Sequence, residues 1–227
     1  MKTEDEDFNL FIKDIKEAET VISSGSLSDL RTSITQWKEK EWLIHVFSGL
    51  LNKIEPEYTR MDTIYKKNGD QIEAIAWHAR NLLELSIWVF FCTKKEENAK
   101  QFYDDALRDL ADVIKAFGTY SSKVNGEEST ALFNDGQSKL QEAAKEKNID
   151  LSQKFQKVNF AATEVSNSTN FILLNKQLSK FVHPTALSIL GNKVDMQTFG
   201  FSFYHYGCIS FLAAFNTLKE YSFRKKK

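Results

Sequence analysis

The sequence predicts an all-α protein, a single-domain multi-helix bundle of about seven to nine helices. Apolar residues recur at helical spacing along most of the 227 residues, and only two prolines interrupt them. The alternating pattern of a half-buried β-strand is not found over any useful length. With 42% hydrophobic and 13% aromatic residues, the chain can bury one sizeable core.

No long linker separates two independent sets of apolar residues, so we treat residues 1–227 as one α-helical domain. Within it we expect N-terminal helices over residues 1–69, a core bundle over residues 70–222 and a basic tail over residues 223–227.

The N-terminal part is predicted to contain three helices. Residues 4–23 place aromatic and aliphatic side chains at helical spacing, and the sequence S-S-G-S then interrupts the pattern. Ser28 or Asp29 can cap the second helix, which is long and which Pro56 is expected to break or kink. A short third helix is expected to end at Asn68.

The first central helix is predicted over residues 70–93, because its second half is apolar on nearly every side. Asp70 is expected to cap it. Residues 95–120 form the next predicted helix, and residues 121–150 are polar enough for a solvated helix between two flexible joints. The helix over residues 95–120 is expected to face inward with Phe102, Leu107, Leu110, Val113, Ile114 and Phe117.

Two shorter helices are predicted near residues 151–165 and 169–183, and a second central helix spans residues 199–221. Residues 196–218 contain no Asp, Glu, Lys or Arg, which raises the question of a transmembrane span. Polar residues and two glycines interrupt that stretch, so a buried core helix is the better interpretation and no membrane span is expected.

The overall charge limits long-range attraction to charged partners. A formal net charge of −1 gives no global field that would steer the protein to nucleic acid or to an acidic membrane, and only a local basic face could do so. Cys92 and Cys208 lie in apolar runs, which indicates buried free thiols in a reducing compartment. The acidic start of the chain carries no apolar signal region, so we expect a cytoplasmic protein.

The first candidate site is the heptapeptide H-A-R-N-L-L-E, in which Arg80 and Glu84 are four residues apart and share one face of a helix. One interpretation is a buried ion pair that fixes the register of two helices. The other is a polar pocket in which Arg80 binds an anion and Glu84 orients a base.

The second candidate site is the helix end N-K-Q-L-S-K-F-V-H-P. Proline disfavours the α region for the residue before it, so the helix should stop at His183. His183 shares a face with Lys176, with Ser179 and Lys180 between them. The residue can cap a helix above a solvated lysine face, or it can act as a general base while the lysines hold phosphate oxygens.

His205 and Cys208 are the third candidate, three residues apart. No further cysteine cluster completes a zinc ligand set, so we expect neither a metal nor another cofactor, and we interpret His205 as a core or pocket histidine with one hydrogen-bonded nitrogen. The usual motifs of P-loop nucleotide hydrolysis, serine hydrolysis and zinc proteolysis do not occur in the sequence.

Together, the R-x-x-x-E segment from Arg80 and the S-x-x-x-H-P segment from Ser179 resemble an uncharacterised bacterial all-helical family, similar to HEPN domains and abortive-infection proteins. The resemblance covers roughly residues 71–190. It implies a helical bundle, with RNA cleavage or a role in phage defence. HEPN ribonucleases place an R-x4-6-H motif at a dimer interface. This chain has no arginine at those positions, and only Lys176 could take its place.

Two functional hypotheses follow, and the sequence leaves open whether the protein is an enzyme. The first is a non-catalytic module that binds a ligand or partner or forms a homodimer. The alternative is a HEPN-like, metal-independent ribonuclease or nucleotide-binding protein that takes RNA or a nucleotide as partner. In that case His183 is the base and Glu84 orients it. The phosphate would be held by Arg80, Lys176, Ser179 and Lys180.

Overall fold

The computed structural model describes residues 4–124, 127–153, 156–183 and 193–226, and within these ranges it contains nine α-helices and no strand. The predicted all-α class is confirmed. The helices are α1 Glu4–Ser23, α2 Ser26–Thr35, α3 Glu41–Lys67, α4 Ile72–Lys94, α5 Glu96–Val124, α6 Glu127–Glu146, α7 Val158–Glu164, α8 Ser168–Val182 and α9 Lys193–Lys225.

Helices α4 and α9 lie at the centre of the bundle, as the sequence predicts. They pack against each other; α4 also contacts α3, α5, α7 and α8, and α9 also contacts α1, α2 and α3. Gly207 lets α9 approach α3 and α4 closely, because a Cβ there would collide with the side chain of Met61 and lie 3.4 Å from the Cα atom of Ala79. The core around this crossing is largely aromatic, with Tyr58 and Phe211 stacked at 4.3 Å between ring centroids.

Helix α3 runs through Pro56 without interruption. Of the two outcomes expected at Pro56, a break or a kink, the break is therefore wrong. Ile54 and Tyr58, on either side of the proline, are both buried. Their packing against the core outweighs the backbone hydrogen bond that proline cannot make, and the helix continues to Lys67.

The predicted helix starts need two further corrections. Helix α2 begins after Gly25, which adopts the left-handed conformation at φ 77°, and Asp29 lies inside its first turn and does not cap it. The residue before α4 is Gln71, and Asp70 provides no side-chain cap. The long second helix of the prediction is divided into α2 and α3 between Thr35 and Glu41.

The C-terminal half of α5 departs most from the prediction. Phe102 and Tyr103 pack against the main core, but no described α5 residue beyond Tyr103 belongs to it. The exposed fractions are 45% for Leu110, 49% for Val113 and 57% for Phe117, so the inward orientation expected for these three residues is wrong.

Helix α6 folds back on this part of α5 and forms a hairpin with it. Phe133 packs over Gly118, where a Cβ would lie 3.5 Å from the Cβ of Phe133. A small apolar cluster near the end of α6 is buried apart from the main core and contains Leu140, Ala144 and Ile149.

A buried ion pair fastens the hairpin to the segment after α6. Asp105 and Arg108 are 2.6 Å apart, and both side chains are almost fully buried. The Nε atom of Arg108 donates to the carbonyl oxygen of Asp150 at 3.1 Å, and the second carboxylate oxygen of Asp105 accepts the N–H of Gln156 at 2.9 Å. These hydrogen bonds satisfy the buried charges and hold the base of the hairpin.

The predicted basic tail begins inside a helix, because α9 continues to Lys225. The Nζ atom of Lys225 lies 2.8 Å from a carboxylate oxygen of Glu39, which ties the end of α9 to the N-terminal helices. Over the described ranges, no helix is long and apolar enough to cross a membrane.

Candidate functional site

Arg80 and Glu84 form an ion pair that joins α4 to α8. The Nε atom of Arg80 donates to Glu84 at 3.1 Å and to the side-chain oxygen of Asn175, on α8, at 2.9 Å. The exposed fractions of the Arg80 and Glu84 side chains are 27% and 29%. The pair is therefore partly exposed, and it links two helices at the edge of the core.

The remaining predicted site residues lie on α8. Lys176, Lys180 and His183 are exposed, and Ser179 is half-buried. His183 follows the last helical residue and is extended, with φ −103° and ψ 146°, and its N–H lies 3.4 Å from the carbonyl oxygen of Ser179. The predicted end of the helix at His183 is confirmed, whereas Pro184 lies outside the described residues.

The structure brings Arg80 and Glu84 together and connects them to α8 through Asn175. Asn175, the α8 residue that Arg80 contacts, is eight residues before His183, which corresponds to about 12 Å along a helix. Lys176 is next to Asn175 in sequence but points about 100° further round the helix. The Arg80–Asn175 hydrogen bond thus links α4 to α8, the two helices that carry the motifs. It does not link the charged side chains of one motif to those of the other.

Glu84 also lines a groove of about 260 Å³ between α3 and α4, whose lining residues are Lys53, Glu57, Asn81, Glu84, Leu85 and Trp88. At its edge a carboxylate oxygen of Glu57 lies 2.7 Å from the Nδ1 atom of His78 and accepts the amide N–H of Asn81 at 3.1 Å. Because a carboxylate accepts, the N–H at Nδ1 of His78 donates to Glu57 in this pair.

The Glu57–His78 pair was missed at the level of sequence. His78 stands in the heptapeptide that was singled out, but Glu57 follows Pro56, where a helix break was expected. The continuous α3 turns Glu57 toward α4. Only the apolar periodicity of α3 on both sides of the proline could have indicated this placement.

His205 lies 5% exposed between α9 and α1. Its Nε2 atom is 3.0 Å from a carboxylate oxygen of Asp14, and the ring of Phe11 lies 4.2 Å away between centroids. This geometry confirms a core histidine with one hydrogen-bonded nitrogen. Among the residues that the structure describes, no group of three or more His, Cys, Asp or Glu side chains could hold a metal ion.

Both cysteines are buried and unpaired in disulfides, as expected. Burial raises the pKa of the Cys208 thiol to about 12 and also raises the pKa of Cys92. A thiol acts as a nucleophile only when it is deprotonated, so both are unreactive in the folded protein at neutral pH.

A further surface emerges only from the structure and lies on α5. We call it the α5 stripe and define it as Leu110, Val113, Phe117 and Tyr120, all 45% to 65% exposed. The spacing places these side chains along one side of the helix over three turns. The periodicity of the sequence predicts this apolar face of α5. It does not predict that the rest of the described chain leaves the face exposed to solvent.

An aromatic groove of about 610 Å³ lies between α3 and α5, beside Lys147 just after α6, and the sequence did not predict it. Lys147 donates to the hydroxyl of Tyr103 at 3.0 Å and lies over its ring, with Trp42 and His45 beside it. Lys100 in the same groove is paired with Asp104 at 2.5 Å, which neutralises part of its positive charge.

Comparison with protein-family models, with curated proteins and with solved structures found no match to this chain.

Proposed function

We propose that this protein is a non-catalytic helical module that associates with another polypeptide through the α5 stripe. The observation that carries this proposal is the exposure of four large apolar side chains on one face of α5. Contiguous apolar patches on a soluble protein commonly mark association sites, because burying them against a partner removes apolar surface from water. The two buried thiols favour a reducing compartment such as the cytoplasm for this association.

The geometry of the hairpin supports this role. Its base is held by the Asp105–Arg108 pair and the hydrogen bonds around it, so α5 is presented on a fixed support. A preorganised surface loses less conformational entropy on binding than a surface that must first become ordered.

The test replaces Val113 and Phe117 with Lys and Glu and follows the tagged protein by native size analysis of extracts from its own cells. We expect the wild type to elute in a complex larger than its 26.1 kDa monomer and the double variant to elute at monomer size. Leu173→Glu is the matched control, because Leu173 is 56% exposed on α8 and lies off the stripe. An unchanged complex in the double variant would contradict the proposal.

The second candidate function is a HEPN-like ribonuclease or nucleotide-binding activity in bacterial phage defence, centred on α8. The observation that favours it is the Arg80–Asn175 hydrogen bond, which joins the helix of the R-x-x-x-E segment to the helix that ends at His183. Exposed Lys176 and Lys180 supply positive charge on α8 for phosphate contacts.

This alternative is tested with purified protein and total RNA without added metal. It requires cleavage by the wild type that His183→Ala abolishes and that Lys176→Ala and Arg80→Ala weaken, while Lys139→Ala on α6 serves as the control. Absence of cleavage by the wild type, or equal cleavage by His183→Ala, excludes the ribonuclease. A filter-binding measurement with labelled RNA under the same conditions tests the binding role separately.

A further inference from the structure

We propose that the partner of the α5 stripe is a second copy of this chain, and that the two α5 helices pack antiparallel about a two-fold axis near Lys115. The proposal rests on the proposed function, since it names the occupant of the same surface. Three independent features of α5 favour a second copy over an unrelated helix: the spacing of the stripe, the sizes of its side chains and the charges along its edge.

The spacing of the stripe reads the same in both directions. Successive residues are separated by three, four and three positions, which is the a/d seam of a heptad repeat. When one copy is reversed about Lys115, Leu110 lies opposite the partner's Tyr120 and Val113 lies opposite the partner's Phe117. A closed two-fold dimer requires a surface that is complementary to itself, and this pattern fulfils the requirement.

The side-chain sizes favour the antiparallel direction. A layer here is the pair of side chains, one from each copy, that lie opposite each other across the seam. In the antiparallel dimer each layer combines one aliphatic with one aromatic side chain, so the layers are similar in volume. A parallel pair would place Val113 against the partner's Val113 and Phe117 against the partner's Phe117, which gives alternating thin and thick layers. Even layers allow close packing along the whole seam.

The charges along one edge of the stripe point to the same arrangement. Asp109 and Lys123 both lie on this edge, and both are exposed. In the antiparallel dimer reversed about Lys115, the partner's Lys123 lies two residues, about 3 Å along the axis, from the level of Asp109, which its long side chain can span. The symmetry forms this pair twice. The surroundings of Asp109 in its own chain disfavour its negative charge, because partial desolvation of the exposed carboxylate and the neighbouring Asp105 and Asp112 raise its pKa. A lysine from the partner would offset that repulsion.

The other edge of the stripe is bordered by α6. Phe133 of α6 lies with its ring nearly parallel to that of Phe117, at 6.5 Å between centroids. A Cβ on Gly136 of α6 would lie 4.0 Å from the Cδ1 atom of Ile114, so the two helices are close there as well. Two hairpins that meet through α5 therefore place an α6 on each outer side, and the assembly is a four-helix arrangement. The contact covers three turns, about 15 Å, so we expect a dissociation constant in the micromolar range.

The first experiment measures the mass of the purified full chain by sedimentation velocity from about 1 to 500 µM. We expect a monomer–dimer equilibrium for the wild type and at least about a ten-fold weaker dimer for Phe117→Glu, with unchanged helicity by circular dichroism. Val113→Glu repeats the test at a second position. Leu173→Glu is the control and should dimerise like the wild type. A monomeric wild type at the highest concentration, or a dimer that survives both stripe variants, overturns the proposal.

The second experiment tests the direction of packing. Asp109→Lys and Lys123→Asp should each weaken the dimer, and the double variant should restore it. A double variant that dimerises more weakly than both single variants contradicts the pairing.

Disulfide cross-linking tests the direction independently. An equimolar mixture of Leu110→Cys and Tyr120→Cys chains should form a disulfide-linked dimer under mild oxidation. Neither variant alone should form a disulfide-linked dimer, because the two copies of residue 110, and likewise those of residue 120, lie about 15 Å apart along the axis. Cross-linking of Leu110→Cys alone indicates a parallel pair and overturns the proposal.

The two proposals fail in different measurements. If the purified chain is monomeric while complexes in cell extracts still depend on the stripe, the second copy is excluded and association with another partner stands. If neither measurement depends on the stripe, the proposed function fails as well.

Discussion

Helices α4 and α5 follow each other in the chain, and both carry enough apolar residues to form a core helix, but the molecule uses them differently. Helix α4 is surrounded by α3, α5, α7, α8 and α9 and buries nearly half of its side chains completely. Helix α5 contacts the core with its first turns and then leaves the α5 stripe exposed. Apolar periodicity thus indicates a face that needs cover, and only the tertiary structure shows whether the chain itself supplies the cover.

The sharpest way to break this comparison is to truncate one phenylalanine of the core that encloses α4, Phe211 on α9, and one of the α5 stripe, Phe117. Phe211→Ala should lower the free energy of unfolding by about 3–5 kcal/mol, because it opens a cavity beneath the stacked ring of Tyr58. Phe117→Ala should cost less than about 0.5 kcal/mol, since its ring is already more than half exposed. Urea unfolding at a concentration where the protein is monomeric measures both. Equal losses would show that the C-terminal half of α5 belongs to the core.

The ion pair at the base of the hairpin is expected to give the next largest effect. Asp105→Ala leaves Arg108 buried without its carboxylate and should cost about 3 kcal/mol. Asp135→Ala removes a pair with Lys139 whose two side chains are 63% and 72% exposed, and should leave the stability nearly unchanged because solvent screens the pair. Thermal unfolding of both variants checks the contrast. A small effect of Asp105→Ala would mean that the hairpin base is not a fixed support.

Replacing a helical glycine by alanine should have opposite signs in the two regions. At Gly207 the new Cβ would collide with the buried Met61 side chain, so Gly207→Ala should destabilise by about 1–3 kcal/mol. At Gly118 the Cβ meets Phe133 at an ordinary 3.5 Å, so the higher helix propensity of alanine should stabilise by about 0.5–1 kcal/mol. Chemical unfolding of the two variants side by side gives the comparison. Destabilisation at both positions would show that α5 and α6 pack as tightly as α4 and α9.

The sequence predicts most of the fold, because helical periodicity is a local property. It identifies α4 and α9 as central and places the end of α8 at His183. Its errors have tertiary causes. Burial of Ile54 and Tyr58 carries α3 through Pro56, and the direction in which the hairpin leaves the core exposes Phe117.

The candidate site is less accessible from the sequence. The Arg80–Glu84 pair follows from its four-residue spacing, which local geometry dictates. Asn175 and Glu57 reach their partners from other helices, and no periodicity within α4 encodes contacts across helices. For the same reason the sequence alone could not place His183 two turns from the Arg80 contact.

The smallest expected effect concerns the charge of Asp109 on the edge of the stripe. Burial and the nearby carboxylates of Asp105 and Asp112 raise its pKa, so the folded chain holds this proton more tightly than the unfolded chain does. The folded state then loses stability as the pH rises from the ordinary aspartate pKa through the raised value, because there the folded state binds more protons than the unfolded state. Asp109→Asn should therefore shift the urea midpoint of the monomer slightly upward at about pH 7 and not at about pH 3, where both states are protonated.

Asp135→Asn is the control and should show no such upward shift, since Asp135 faces Lys139. A lower midpoint for Asp109→Asn at neutral pH would mean that its charge is already balanced within the monomer. Pairing of Asp109 with the partner's Lys123 would then relieve no repulsion at the edge of the stripe.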